Sequence, residues 1–425
     1  MILQMDNNKV LIVSFYFPPY PKVGGRRWAK FAKYLNREGY DTHVLCVTFN
    51  QDKESPWNKD VEEYKSKVHR IRKDFLKPYY LETLHTNIFQ KIKWKLSYHA
   101  ETRKKRTYKG NYTDPGRRHA AETRQKAKQL IEIHKYSAVI VTGGPFSIPF
   151  EIVKLKKKFP SIKFIVDIRD PWTGGMKNSL SKRQLDFEFL KEKKTYESAD
   201  IITTCHQYII DDLNKRYGLD EKLELLSHAY DIDDFSSGTF DKKLTPDSKT
   251  ITMVYAGTLY GGMEREMGML VNFVRFLKNK DYVPLVKLYC FNGGYESIIE
   301  TSDVQDCFKY EDIISPLELS KVFADSTYIL QLRPKSEEGW ENFLSSKFYE
   351  LLFYRKPILY FGPESTVQQF LETKKLGIWI DSYSEDTDLG QLHEKLLKNK
   401  IPSSYDVSKH EYQVEVKKLK EILKP

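Results

Sequence analysis

The feature that most narrows the possible folds is a pattern that runs its course and then starts again. A short apolar run, Val10–Phe15, reads as a strand and passes into the loop Tyr16-Phe-Pro-Pro-Tyr-Pro-Lys-Val-Gly-Gly25. Residues 26–37 then carry Trp28, Phe31, Ala32 and Leu35 at helical spacing, Gly39 ends the helix, and Thr42–Val47 is the next strand. A strand, loop, helix and strand in that order favour a parallel, right-handed crossover. At Ile251–Ala256 the series begins afresh, with the loop Gly257-Thr-Leu-Tyr-Gly-Gly262 and a helix over 264–278. Two such series, each with glycines after its first strand, imply an α/β protein of two facing, doubly wound Rossmann-like sheets with a cleft between them. The 425 residues are enough for two ordinary domains. The expected division is a first domain over 1–230, a linker over 231–250, a second domain over 251–404 and a terminal helical segment over 405–425. Ser, Thr, Pro, Gly and Lys dominate the linker, so Asp231-Ile-Asp-Asp234 is better read as part of it than as a metal-binding D-x-D.

Within the second domain, Leu344–Gly362 is the most informative stretch. Strand-like runs at Tyr328–Leu332 and Ile358–Phe361 flank a helix bearing Phe348, Leu351 and Leu352 on one face, with Ser345 or Ser346 as its N-cap. Lys347 then falls in the first turn, where free backbone N–H groups and the helix dipole favour an anion. Glu350 lies three residues on and shares its face. A cation at the helix start and a carboxylate one turn deeper suit a nucleotide diphosphate, with phosphate at the tip and ribose hydroxyls at the acid. An ordinary surface helix with an i,i+3 ion pair has the same composition. Gly257, Thr258 and Arg265, the last in a helix's first turn, are further phosphate candidates.

The first domain offers two candidate loops. Gly24-Gly25 permits close backbone approach by a ligand, or simply a turn; it is not a G-x-G-x-x-G, so no dinucleotide fingerprint is present. The predicted strand Phe164–Asp167 runs into Ile168-Arg-Asp-Pro-Trp172, which puts Asp167, Arg169 and Asp170 at the end of a strand where doubly wound folds place chemistry. Asp170 could orient a substrate hydroxyl, or cap a turn, since Asp-Pro commonly opens one. The predicted helices over 116–134, 148–159, 182–198 and 206–217 and the strands Ala138–Val141, Asp200–Thr204 and Leu223–Leu226 complete this half. His206 reads as a helix-start residue, with no metal-ligand spacing around it.

Charge is unevenly spread. Lys65–Lys128 holds 19 lysines and arginines against five acids, an excess of 14 in a chain whose net charge is +11, so the remainder is slightly acidic. Phe75, Tyr79, Tyr80, Ile88, Phe89 and Trp94 interleave with these cations. Basic and aromatic residues together suit an anionic membrane surface. No helix-turn-helix, RRM or zinc-finger pattern supports nucleic acid as the partner. No apolar run approaches the roughly 20 residues of a membrane span, and the start of the chain lacks a signal-peptide layout. The four scattered cysteines contain no C-x-x-C, as expected of buried thiols in a reducing cytoplasm.

In order and spacing, six segments resemble those of GT-B glycosyltransferases of family 4, the retaining group of bacterial surface-polysaccharide assembly. They are Phe17-Pro-Pro…Gly24-Gly25, Thr142-Gly-Gly-Pro145, Asp167-Ile-Arg-Asp-Pro-Trp172, Ser227-His-Ala-Tyr-Asp231, Tyr255-Ala-Gly-Thr258 and Ser346-Lys-Phe-Tyr-Glu350…Lys356-Pro357. The resemblance implies a retaining transfer from a UDP- or GDP-linked nucleotide sugar to a lipid-linked or polysaccharide acceptor. It makes the first domain the acceptor side and the basic segment its membrane contact on the inner face of the cell membrane, with the terminal helix packing back toward that domain. Ser346, Lys347 and Arg265 would hold the donor diphosphate and Glu350 the ribose, with Gly257 and Thr258 beside them. Gly24 and Gly25 would face the diphosphate, and Arg169 and Asp170 the sugar. No metal or other cofactor is expected. Two departures stand out. Asn342, next to Glu341, occupies the place of the family's first glutamate, and Thr258 replaces an arginine. A nucleotide-sugar 2-epimerase of the same fold and a non-catalytic membrane-associated scaffold are the alternatives.

Overall fold

The computed structural model of the chain describes residues 8–20, 23–48, 57–72, 114, 116–176, 180–235, 249–259, 261–291, 294–312, 314, 316–336, 339–384, 387–398, 401 and 405–424. The chain divides into two compact units, one formed by Met1–Ser227 with Tyr412–Pro425, the other by His228–Glu411.

The first unit holds seven strands: β1 (Lys9–Ser14), β2 (Asp41–Thr48), β3 (Val68–Arg72), β4 (Ala138–Thr142), β5 (Lys163–Ile168), β6 (Ile201–Thr204) and β7 (Leu223–Leu225). All pair in parallel, in the order β3-β2-β1-β4-β5-β6-β7. Its principal helices are α1 (Arg26–Arg37), α2 (Arg117–His134), α3 (Ser147–Ile152), α4 (Lys182–Ser198) and α5 (Gln207–Tyr217). Strands covered on both faces read as continuous apolar runs, and Val10, Leu11, Ile12, Val13 and the Val139–Val141 stretch are fully buried.

The second unit repeats the plan with six parallel strands: β8 (Thr250–Thr258), β9 (Val283–Phe291), β10 (Phe308–Glu311), β11 (Tyr328–Leu332), β12 (Ile358–Gly362) and β13 (Gly377–Asp381). Their order is β10-β9-β8-β11-β12-β13. Its helices are α6 (Glu264–Asn279), α7 (Glu296–Glu300), α8 (Pro316–Asp325), α9 (Ser346–Phe353), α10 (Thr366–Lys374) and α11 (Leu389–Lys398). Both sheets therefore share the order 3-2-1-4-5-6 over their first six strands. In each, strand order reverses beside the first strand, and the carboxyl ends there form the crevice where such sheets take ligands.

Absent from the sequence reading are β3, β10, α10 and the short α7. β3 and β10 each form one edge of their sheet, and VHRIR and FKYE carry too few apolar residues to stand out. α10 has Ser365 as its cap, accepting from the Gln368 amide. The helix expected over 148–159 ends at Ile152 and continues as a 3₁₀ turn, Val153–Lys157. The terminal segment is a 3₁₀ turn, Val407–His410, followed by α12 (Tyr412–Leu423). α12 belongs to the first unit, where Tyr412 packs against Phe31 at 5.3 Å and stacks with Tyr34 at 6.4 Å between centroids. Asp231 caps a short 3₁₀ turn, accepting from the Asp233 amide. Residues 73–113, most of the basic segment, lie outside the described residues. Among the described residues no helix is long and apolar enough to cross a membrane, and all four cysteines are free thiols.

Candidate functional site

In the second unit, helix α9 is aimed by its cap. Ser345 is extended and its hydroxyl accepts from the Phe348 amide, so Ser346 is the first helical residue and Lys347 the second. Phe348, Leu351 and Leu352 are buried beneath the helix and fix its rotation, leaving Lys347 on the open side. The ammonium of Lys347 crosses to the carboxyl end of β8, where it donates to the Ala256 carbonyl at 3.1 Å. It lies where a side chain at residue 257 would begin. A β-carbon on Gly257 would come within 2.6 Å of the Lys347 Nζ. Gly257 thus has a specific reason to be glycine. Lys347 is an exposed residue, but its ammonium rests against the Ala256 carbonyl and over Gly257. That burial of the tip lowers the lysine's pKa; Glu350, one turn on, opposes the shift and Arg333 adds to it. A lysine destabilised as a bare cation gains most from an anion placed beside it.

Arg333, absent from the sequence-derived candidates, follows β11 directly at the switch point of this sheet. It donates to the Trp340 carbonyl at 3.2 Å and to the Ser345 hydroxyl at 3.3 Å, and also bonds the Phe343 carbonyl. Its guanidinium therefore holds the turn that delivers α9. The available signal was its position immediately after a buried strand and before Pro334. Thr258 ends β8, with its carbonyl accepting from the Tyr255 hydroxyl at 2.8 Å. Arg265 stands in the first turn of α6 with its guanidinium 5.2 Å over the Tyr383 ring. Glu341 is buried and accepts from the Ser336 amide and hydroxyl at 3.2 and 3.0 Å. Asn342 accepts from the Thr366 amide at 3.1 Å, at the start of α10. Glu341 thus serves a local turn, and Asn342 ties its segment to the start of α10.

In the first unit, the carboxyl ends of β1, β4 and β5 gather the other candidates. Arg169 donates to the Gly24 carbonyl at 3.0 Å and to Asp170 Oδ2 at 3.2 Å. A β-carbon on Gly24 would meet the Arg169 guanidinium at 3.2 Å; one on Gly144 would lie 3.5 Å from it and 3.9 Å from the Asp170 carboxylate. Gly144 has φ +72°, a left-handed conformation that also favours glycine. Gly25 lies against the Phe17 backbone, where a β-carbon would come within 3.1 Å. Gly24, Gly144, Arg169 and Asp170 therefore form one polar cluster, with the Asp170 carboxylate half-exposed.

Two neighbours from the sequence reading part company with this cluster. Asp167 is fully buried and accepts from Trp28 at 2.8 Å, Thr203 at 3.0 Å, Thr142 at 3.3 Å and Arg27 at 3.5 Å. It ties α1, β4, β5 and β6 together and is no partner in a carboxylate pair with Asp170. Trp172 turns inward, stacked on Phe146 at 4.9 Å and donating to Glu188 at 3.0 Å. His206 is the N-cap of α5, as its sequence position suggested.

No family model matches the sequence, and no curated protein does. Solved structures do. A sucrose-phosphate synthase from Thermosynechococcus elongatus superposes with a TM-score of 0.59 at 11% identity over 98% of both chains. A lipopolysaccharide outer core galactosyltransferase, in its apo form, gives 0.58 at 10% identity, covering 97% of this chain and 98% of that one. The fold is GT-B. A UDP-GlcNAc 2-epimerase from Neisseria meningitidis bound to UDP-GlcNAc, at 0.51 and 10% identity over 98% of this chain and 99% of that one, has a similar fold. Transferases and epimerases thus share this GT-B architecture, and at such identities the fold is what the likeness shows. The clusters around Lys347 and around Arg169 each sit beside the switch point of one GT-B sheet.

Proposed function

We propose that the protein is a retaining glycosyltransferase that moves a sugar from a UDP- or GDP-linked donor to a lipid-linked or polysaccharide acceptor in cell-surface glycan synthesis. The observation that carries it is the seating of Lys347. Its ammonium rests on the Ala256–Gly257 backbone at a helix N-terminus beside a sheet switch point, with Glu350 one turn away. In this reading Lys347, with Ser346 and the free amides of α9, binds the diphosphate. Gly257 and Thr258 line its path, Arg265 supplies a second cation, and Glu350 takes the ribose hydroxyls. As the glycosidic bond to the diphosphate breaks, negative charge grows on the leaving oxygens, and fixed cations and amide dipoles stabilise it. Cationic side chains can supply that stabilisation without a metal. Arg169 and Asp170 act on the sugar in the first unit, and Gly24 and Gly25 would face the diphosphate. The basic segment Lys65–Lys128 would hold the protein at an anionic membrane from the cytoplasmic side, near a lipid-linked acceptor.

Calorimetric titration with UDP, GDP and their sugars, followed by product analysis with and without a lipid-linked acceptor, tests this. Nucleotide binding with acceptor-dependent transfer is expected. Sugar isomerisation from the donor alone would favour the epimerase reading, and vesicle binding without nucleotide binding would favour a scaffold.

A further inference from the structure

The opposite, amino-terminal edge of the first sheet carries a cluster that the transfer reaction does not use. His43 is the third residue of β2, His69 the second of the adjacent strand β3, and His134 the last of α2. The parallel pairing of β2 with β3 sets Leu45 opposite His69, which brings the two imidazoles side by side. His43 Nδ1 and His69 Nε2 are 3.0 Å apart, and one nitrogen from each of the three rings lies within 4.8 Å of the others. The rings of His43 and His134 are 4.5 Å apart between centroids.

We infer that His43, His69 and His134 form a binding site for a zinc-type divalent cation at the amino edge of this sheet. Three imidazole nitrogens suit a borderline d-block ion such as Zn²⁺, and solvent completes a tetrahedron. Zn–N bonds of about 2.0–2.1 Å place ligand nitrogens roughly 3.4 Å apart. The His43–His69 pair therefore opens by only a few tenths of an ångström as a shared proton gives way to the cation.

Three surroundings reinforce the geometry. Asp41 Oδ1 lies 3.4 Å from His43 Nε2, the ring nitrogen that faces away from His69, and Lys67 fixes that carboxylate at 2.7 Å. A carboxylate behind a ligand histidine is the usual means of setting its tautomer and basicity. His134 ends α2, where unpaired carbonyls and the helix dipole favour positive charge. Tyr136 packs on His43 and His134 and is fully buried, with a hydroxyl that has no hydrogen-bond partner among the described residues.

The test uses the full chain, with Zn²⁺ measured by competition against a chromogenic chelator and Co²⁺ read by its visible absorption. Expected results are one Zn²⁺ per chain and a tetrahedral-type Co²⁺ band. Affinity should fall at least tenfold in His69→Asn and in His134→Asn, and the band should vanish in the double variant. Added Zn²⁺ should raise the melting temperature of the wild type and not that of the double variant. Because both substituted side chains are partly exposed, the metal-free melting temperatures should match the wild type and show that the variants fold. Sub-stoichiometric uptake by the wild type, or unchanged affinity in the double variant, would overturn the assignment.

Discussion

Asp167 and Lys347 are both charged residues at the carboxyl edge of a GT-B sheet, and they are treated in opposite ways. The carboxylate of Asp167 is sealed from solvent and accepts four hydrogen bonds, from an indole, two hydroxyls and a guanidinium. Lys347 makes one hydrogen bond among the described residues, to a backbone carbonyl, and keeps contact with solvent. An ammonium has three protons to donate, so two remain available to a ligand. The lesson is that position at a sheet's functional edge does not make a polar residue functional. What separates scaffold from site is whether the protein has already used the group's bonding capacity.

The largest effect expected from this contrast is structural. Asp167→Ala removes the acceptor of the Trp28 indole and the counter-charge of buried Arg27, which keeps its bonds to the Leu226 and Ser227 carbonyls, and breaking a buried ion pair from one side costs about 3–5 kcal/mol. Denaturant unfolding of the variant should show a loss of that size. A variant as stable as the wild type, but inactive, would move Asp167 from the scaffold to the chemistry and break the comparison. Lys347→Ala is its mirror image. Unfolding should be nearly unchanged, while turnover falls about 10²–10³-fold, the range for removing one preorganised donor to a developing anion. Near-normal transfer by this variant would remove the donor site proposed above.

A smaller, more pointed effect belongs to Gly257. An alanine there puts a methyl group where the Lys347 ammonium rests, and the ammonium, the end of a flexible side chain, is what gives way. Gly257→Ala should therefore weaken nucleotide binding about tenfold, near 1.4 kcal/mol, and, because Gly257 has φ +158°, should also lower stability by about 1 kcal/mol. Calorimetry on the pair separates the two: a large loss of stability with intact binding would mean that the glycine serves the backbone and not the lysine.

How much of this was legible in the sequence follows from what each feature depends on. β1, β4, β5, β8, β11 and β12 are buried on both faces, so their apolar runs announce them, and the spans 26–37 and 182–198 expected of helices match α1 and α4. Edge strands β3 and β10 were not, because an edge tolerates the polar residues that blur the pattern. Lys347 and Glu350 could be singled out because helix capping is local, within five residues of Ser345. Arg333 could not, since its partners Trp340, Phe343 and Ser345 are set by how the turn folds back. The three histidines illustrate the same limit more strongly. His43 and His69 are 26 residues apart with no ligand spacing, and only the register of two parallel strands makes them neighbours.

The finest discrimination comes from pH. Burial lowers the pKa of Lys347 in the free protein, Glu350 opposing and Arg333 assisting. A diphosphate bound against the ammonium acts in the other direction, because an opposite charge favours the protonated form. The bound state therefore holds its proton at pH values where the free state has begun to lose it. Binding takes up a proton in that window, and by linkage affinity must fall as pH rises through it. Nucleotide diphosphate affinity measured from about pH 7.5 to about 10, above the phosphate's own titration near 6, should decline, and the decline should begin below the usual lysine value of about 10.4. Lys347→Arg keeps the charge and removes the titration, so its profile should stay flat over the same range. A flat wild-type profile would mean that the ammonium does not meet the phosphate. Matching slopes in both proteins would assign the titration to another group. Either result separates the lysine from the ligand while leaving Asp167 in its structural place, and so shows which half of the contrast fails.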